Sequence, residues 1–565
     1  MPERADLILR GGFVVDVHAR DIFTADIAIK DGRVMCVGDL KDLSGEEIDV
    51  TGMYVSPGFM DAHIHIESSK LSPEEFSRVV LPRGTTSVFI DPHESANVMG
   101  RRGVDLFLRT PSPLRIFVLI PSCVPAVEDL DMSGARIDEE DILSYRDEEM
   151  VVGLAEVMNY PGLIGGDEKL LSKVRTAMRI WGVVDGHAPL LSGEELCKYM
   201  LRGPQSDHES TSPEEALEKL RLGMYVMLRE GSASRDMSRI LPTILSRGID
   251  TRRCLLCCDD RSAEDLLEKG HMDHNIRLAI ELGADPIQAI QMATINVAER
   301  FRLHDLGSLA PGKKADVVVL KNLERVEVVH TIIGGRFVVR GGRVLKPPRR
   351  EYEWDLLNTV KIPKKLDLKV RVDADRVKVR VIEANEDSLL TESGEEELEV
   401  RRGIVLPDPE KDVLQVCVVE RHTGAGLVGK AFVRGFGIKN GALASTVSHD
   451  SHNLVVVGDN FQDMEKAIKV VKRMQGGQVV VSRGRVLAEL QLSLLGIMST
   501  ERAETVAERS SELRRAARLI KSNFEDPFSV LSFITLPVIP KLKVTCRGLI
   551  DVTSFRVVDP VISTG

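Results

Sequence analysis

Pro57-Gly58-Phe59-Met60-Asp61-Ala62-His63-Ile64-His65-Ile66-Glu67-Ser68 decides how the rest of this chain is read. The apolar run Met53-Tyr54-Val55 leads into it, which predicts a strand that ends in polar residues. Alternate side chains of a strand share a face. His63 and His65 therefore point one way, and Ile64 and Ile66 the other. Two imidazoles side by side at a strand end make half of a transition-metal site. A bare His-x-His pair is as readily two histidines on a solvated strand face, so the neighbours along the chain decide between the two.

Seven further apolar runs end in the same manner. They close at Asp91-Pro92-His93-Glu94, at Pro121-Ser122-Cys123, at Ala155-Glu156, at Asp185-Gly186-His187, at Ser206-Asp207-His208-Glu209, at Arg229-Glu230 and at Cys258-Asp259-Asp260. The sixth, at 206–209, is weak as a strand. Helix starts stand between them. Ser72-Pro73-Glu74-Glu75 and Ser212-Pro213-Glu214-Glu215 each offer a cap residue, a proline at the first helical position and a glutamate at the third. Asp285-Pro286 opens a further helix through Ile287, Ile290, Ala293, Val297 and Phe301, placed to close the unit. Eight strands alternating with helices predict an α/β fold of the (β/α)8 barrel type, with a doubly wound open sheet as the alternative. Barrel chemistry sits at the strand C-termini, where histidine, aspartate, glutamate and arginine gather here.

The flanks read differently. Short strands and turns fill residues 1–54, with Asp31-Gly32 as a hairpin signal, and the style returns at 312–350 with turns at Gly334-Gly335 and Gly341-Gly342. Neither part can bury much alone. One small β-sandwich domain made of both parts, with the barrel of residues 55–311 inserted between them, accounts for both. A Lys346-Pro347-Pro348-Arg349-Arg350 linker then leads to a C-terminal α+β domain over residues 366–565.

Composition narrows the class. The chain has 565 residues, 43% of them hydrophobic and 28% charged, which suits a globular protein with sizeable cores. A formal net charge of −11 argues against nucleic acid as a partner through a broad basic face. The start, Met1-Pro2-Glu3-Arg4-Ala5-Asp6, lacks an apolar signal region, and no apolar run reaches the length of a membrane span. A cytoplasmic protein without a membrane partner is the expectation. The eight cysteines are scattered, as reduced core thiols are, and Cys254-x-x-Cys257 has no second pair to complete a structural zinc site.

Set on one barrel rim, His63, His65, Glu156, His187, His208 and Asp259 offer four imidazoles and two carboxylates. That is too many for one catalytic zinc and suits two divalent ions, with a carboxylate such as Glu156 as bridge. Mixed nitrogen and oxygen donors leave iron, manganese and zinc open. Two ions sharing a water would yield hydroxide near neutral pH, and Asp259 could take its proton and pass it to a leaving group. Each residue also has a plainer reading: a buried histidine is often a satisfied core residue, and Asp259 could pair with Arg261. Asp91, His93, Glu94, Ser122 and Arg229 are further candidates for substrate binding or for support of the ligands. Arg229 and Glu230 could equally pair with each other. Ser448-His449-Asp450 looks like a serine triad, but adjacent strand residues do not converge as a triad requires. His449 and His452 are instead expected to reach the barrel mouth or to order a loop.

These stretches together resemble the amidohydrolase superfamily, and more closely its adenine deaminase family. The matching motifs are Pro57 to Ser69, Gly84-Thr85-Thr86 through Glu94, Pro121-Ser122-Cys123-Val124-Pro125-Ala126, Gly153-Leu154-Ala155-Glu156-Val157-Met158 and Asp185-Gly186-His187-Ala188-Pro189. Arg229-Glu230-Gly231-Ser232-Ala233, Asp259-Asp260-Arg261 and Gly270-His271-Met272-Asp273 follow. Beyond the barrel, Gly435-Phe436-Gly437, Ser448-His449-Asp450-Ser451-His452-Asn453 and Leu536-Pro537-Val538-Ile539-Pro540 match as well. The resemblance implies hydrolytic deamination of adenine to hypoxanthine in purine salvage or catabolism, with manganese or iron and hydroxide attack at C6. Carried over by position, His63, His65, Glu156, His187, His208 and Asp259 hold the metals. Glu156 stands where many superfamily members place a carboxylated lysine. Cys258 departs from the threonine expected before the aspartate. Barrels of this kind often pair, so a homodimer is expected. The alternatives are hydrolysis of a cyclic amide by the same machinery, or a non-catalytic scaffold barrel. The zinc deaminase signature of nucleic-acid editors, His-x-Glu with Pro-Cys-x-x-Cys, is not in the sequence.

Overall fold

Strands form at all eight predicted positions in the computed structural model, which describes residues 4–386 and 388–564. They are β1 (Phe59–Ile64), β2 (Thr85–Ile90), β3 (Arg115–Pro121), β4 (Val151–Val157), β5 (Val184–Gly186), β6 (Ser206–Asp207), β7 (Tyr225–Arg229) and β8 (Cys254–Cys257). All pair in parallel, β1 to β5 as one run and β6 to β8 as another. The runs join at both seams. Asp259 N–H donates to the His63 carbonyl at 2.8 Å, His65 N–H donates to the Asp259 carbonyl at 2.9 Å, and Gln205 N–H donates to the Val184 carbonyl at 3.0 Å. The sheet is a closed barrel and not an open one.

Barrel strands are apolar on both faces because helices cover the outside. Phe89, Phe117 and Leu119 pack in the barrel interior with Met60 and Ala62, while Val88, Ile90, Val118 and Ile120 pack outward under the helices. In β1 the pairing register shifts between Asp61 and Ile64. Met60 and Ala62 lie in the interior before the shift, and Ile64 packs in the outer layer after it. The irregularity turns His63 and His65 toward the barrel axis, a re-aiming that strand bulges commonly provide.

The two capped helix starts form as read. Ser72 Oγ accepts from Glu75 N–H ahead of the helix Pro73–Val80, and Ser212 Oγ accepts from Glu215 N–H ahead of Pro213–Arg221. The helix expected from Asp285 through Phe301 is instead two, Pro286–Met292 and Ile295–Arg300. Thr294 leaves helical geometry at φ −142° and ψ −93°, and the Ala293 carbonyl accepts from Met60 N–H at 2.8 Å. The second piece still plugs the barrel, with Phe301 stacked on Phe89 at 3.9 Å between ring centres.

Strands from both ends of the first 350 residues share one continuous nine-stranded sheet, so the expected sandwich is not divided into two separately bonded sheets. Its junction is Tyr54–Pro57, parallel to Leu7–Asp16 on one side and antiparallel to Val317–Leu320 on the other. The Asp31-Gly32 turn has positive φ at both residues, 49° and 73°, as a tight hairpin of right-handed twist requires. The C-terminal part is built on a ten-stranded sheet with the helices Phe461–Met474, Ala503–Leu519 and Pro527–Phe533. Among the described residues no helix is long and apolar enough to cross a membrane.

Candidate metal centre

Six side chains meet at the C-terminal rim. His63 and His65 come from the end of β1, Glu156 from β4, His187 and His208 from the turns after β5 and β6, and Asp259 from the turn after β8. His63 Nε2 and His65 Nε2 lie 3.3 Å apart. Asp259 Oδ1 stands 3.7 Å from the first and 3.4 Å from the second. Glu156 faces both sides of the cluster. Its Oε1 is 3.6 Å from His65 Nε2, and its Oε2 is 2.7 Å from His187 Nδ1 and 3.0 Å from His208 Nε2. The His63 and His208 rings stack at 4.1 Å.

Donor atoms that share one divalent ion at about 2.1 Å lie roughly 3.0–3.5 Å from each other. The spacings around His63, His65 and Asp259, and around Glu156, are of that size. Two compact groups of ligand atoms result, one of His63, His65 and Asp259 and one of His63, Glu156 and His208. Burial lowers the His65, His187 and His208 imidazoles, but their carboxylate neighbours outweigh it and raise them, so these rings release protons when a cation binds. His65 Nδ1–H donates to the Asp91 carbonyl at 2.8 Å, which leaves Nε2 free to ligate when the ring is neutral. Burial, then His208 and His65, push the His63 imidazole well below its ordinary range, so the ring is neutral and one nitrogen is free to ligate. Burial opposes ionisation of Glu156, yet His187 and His208 hold its carboxyl well below the usual range.

A supporting layer fixes these groups. Asp91 Oδ2 accepts from the Glu156 backbone N–H at 2.7 Å and lies 3.2 Å from His93 Nδ1. Ser122 Oγ–H donates to the Glu156 carbonyl at 2.6 Å. Asp91 and Ser122 thus hold the β4 end. Lys219, fully buried, donates to Asp207 Oδ2 and to the Ala188 carbonyl, both at 2.8 Å, and so ties the two turns that carry His208 and His187. His93 stands 4.0 Å from Glu156 Oε1 and forms a third group of ligand atoms with it and His65. Glu94 points away, toward His449 and His452.

Arg229 does not pair with Glu230. Its guanidinium is held by Glu209, by Asp236 Oδ2 at 2.9 Å and by Asp259 Oδ2 at 3.0 Å. With all three acidic partners in place it acts on Asp259 and not on the open cavity. Arg261 bonds the Glu230 carbonyl and Asn275, so it does not pair with Asp259 either. Cys123 is buried, and its thiol is pushed up by that burial. Reasoning from sequence passed over Glu209, Asp236 and Asp185. Glu209 directly follows a ligand at a strand end, which was its available signal. Asp185 Oδ2 faces His63 Nδ1 at 4.0 Å while Arg300 holds its other oxygen at 2.5 Å.

A closed parallel barrel with two carboxylates and four imidazoles on its C-terminal rim defines the metal-dependent amidohydrolase class, and the amidohydrolase family profile matches residues 54–338. A second profile, the adenine deaminase C-terminal domain, matches residues 388–556. The chain is 44% identical to an adenine deaminase of Methanococcoides burtonii across 99% of this chain and 96% of that one. It is 44% identical to an adenine deaminase of Archaeoglobus fulgidus across 98% and 95% of the two chains. An adenine deaminase of Brucella suis is 43% identical across 98% and 94%. The chain belongs to the adenine deaminase family.

Proposed function

We propose that this protein hydrolyses adenine to hypoxanthine and ammonia at the rim cluster. The carrying observation is that likeness to adenine deaminases runs through both the barrel and the C-terminal domain at 44% identity. Family membership brings with it the use of divalent metal. The donor set suits two ions and leaves iron, manganese and zinc open; the likeness to adenine deaminases puts manganese or iron ahead of zinc. Such a pair, when bound, lowers the pKa of a water so that hydroxide is available near neutral pH.

The residues divide the work. His63, His65 and Asp259 would hold one ion, and His187 and His208 the other, with the two oxygens of Glu156 turned to the two sides. Asp259 Oδ1 faces the histidines, where it can accept a proton from water and return it to the departing amine. One C–O bond forms at C6 and the C6–N bond breaks, so that proton completes ammonia. Arg229 keeps Asp259 ionised and oriented through the other oxygen. Burial opposes that ionisation, but His65, His208 and Arg229 outweigh it.

Ammonia release from adenine, with adenosine and a cyclic amide as controls, tests the reading on protein purified with manganese. Release from adenine alone, abolished by a chelator, is the expected result. No release from adenine by metal-replete protein would overturn it.

A further inference from the structure

The C-terminal domain reaches the barrel rim through the loop 448–453. His452 Nδ1 accepts from the Ser448 N–H at 3.2 Å, so its neutral ring carries the proton on Nε2, aimed at Glu94 Oε2 3.3 Å away. Asp450 Oδ1 lies 3.9 Å from His93 Nε2, and Asn453 Nδ2 donates to the Met132 carbonyl at 2.9 Å. Buried Arg421 has no carboxylate in salt-bridge contact among the described residues. It donates instead to the carbonyls of His452 and Leu495 and to Thr359. The loop is thus pinned on both sides, with His452 Nε2 buried 3.3 Å from Glu94 Oε2.

The same loop carries the His449 ring. It stacks on Phe533 with ring centres 4.8 Å apart and planes 28° apart. His449 N–H donates to Ser532 Oγ at 3.2 Å, and Thr535 Oγ1 donates to the His449 carbonyl at 3.1 Å, so the ring is held from its own backbone. Beside it lies a cavity of about 150 Å³ lined by Ser68, Ser232 and Asp260 from the barrel and by His449, Phe528 and Phe533 from the C-terminal domain. A cavity of about that size takes up one benzene-sized ring, so it receives one ring of a fused purine and leaves the other outside. Its barrel wall leads to the metal centre: Asp260 follows Asp259, and Ser68 Oγ bonds both Asp260 and, at 3.2 Å, Glu94.

We propose that this interdomain cavity is part of the base-recognition subsite, with one ring of the purine lying against the His449–Phe533 wall and its edge bonded by Asp260, Ser68 and Ser232. The proposal rests on the deaminase reading above. Asp260 accepts from a ring N–H, and the serine oxygens, whose own hydrogens go to Asp260, Glu94 and Asp265, can accept from others. The C-terminal domain then supplies the aromatic half of the site, which explains why a barrel able to hold metal alone carries it.

The test uses full-length, metal-loaded protein. KM and kcat for adenine are measured for wild type, His449→Ala, His449→Phe and Phe533→Ala, together with hypoxanthine affinity by calorimetry and metal content. Loss of a stacking partner should raise KM and weaken hypoxanthine binding by on the order of tenfold, with metal content unchanged, and His449→Phe should recover most of the loss. Asp260→Asn, which keeps the volume, gives a second handle and should also raise KM. Deamination by wild type with unchanged KM and hypoxanthine affinity in His449→Ala and Phe533→Ala would overturn the subsite alone. Absence of adenine deamination in wild type would overturn the reading on which it rests.

Discussion

Arg229 Nη1 lies 3.0 Å from Asp259 Oδ2, and this contact decides which oxygen of Asp259 faces the histidines. Glu209 and Asp236 grip the same guanidinium, so its fork is fixed on three sides. Lysine keeps the charge but cannot make the forked contacts. In Arg229→Lys, kcat for adenine should fall by roughly 10- to 100-fold, the usual cost of a misplaced catalytic group. KM should move little. Unchanged kcat would show that Asp259 is oriented by its backbone alone. Arg229→Ala is a poorer probe, because it strands two buried carboxylates and a half-buried one and should destabilise the fold.

Asp259 carries a separable duty in proton transfer. Asn at that position preserves size and one oxygen donor but cannot shuttle a proton. Asp259→Asn should keep most of its metal by elemental analysis and lose roughly 10²-fold or more of turnover, the scale of a lost general acid–base. Full activity would take Asp259 out of proton transfer and leave it as a ligand only.

Metal and fold are linked at this rim. His63, His65, Glu156, His208 and Asp259 are buried, and a divalent cation among them would offset the two buried carboxylates. A ligand that binds only the folded state raises its stability. Chelation should therefore lower the melting temperature by several degrees, and manganese should restore it. A His63→Ala/His65→Ala double variant, which keeps only the ligands of the second ion, should show a clearly smaller chelator response. Equal chelator effects in both proteins would place the stabilising ion elsewhere.

The barrel was legible because each strand joins an apolar run to a polar end, a pattern that needs only local residues. The direction of those ends was not. β1 to β4 are buried on both faces, so no alternation marks inside from outside, and the register shift between Asp61 and Ile64 leaves no trace in composition. Arg229 was legible as a site residue but its role was not, since its partners come from three other turns. Thr294 interrupts a helix whose apolar spacing runs straight through it. Least legible was the loop 448–453, which meets Glu94 across more than 350 residues of chain. Its histidines are visible in the sequence, but only packing shows that they close the barrel mouth.

Lys543 gives the C-terminal domain a pH signature of its own. It is buried against the end of the helix Pro527–Phe533, where its ammonium donates to the Phe533 carbonyl at 3.1 Å and to the Leu389 carbonyl at 2.8 Å. Burial pushes it from its ordinary 10.5 down to about 7, against the pull of the helix C-terminus toward positive charge. Below about pH 7 the lysine is charged in both folded and unfolded chains, and the folded state bears the full desolvation cost. Between about 7 and 10.5 the unfolded chain binds a proton that the folded one lacks, so stability rises with pH there, by roughly 1.4 kcal/mol for each unit over which the two differ. Lys543→Met removes the titration while filling the space. The melting temperature of wild type relative to Lys543→Met should therefore climb between pH 7 and 10 and stay level below pH 6. Parallel curves over the whole range would mean that the ammonium stays charged where it is, held by the two carbonyls.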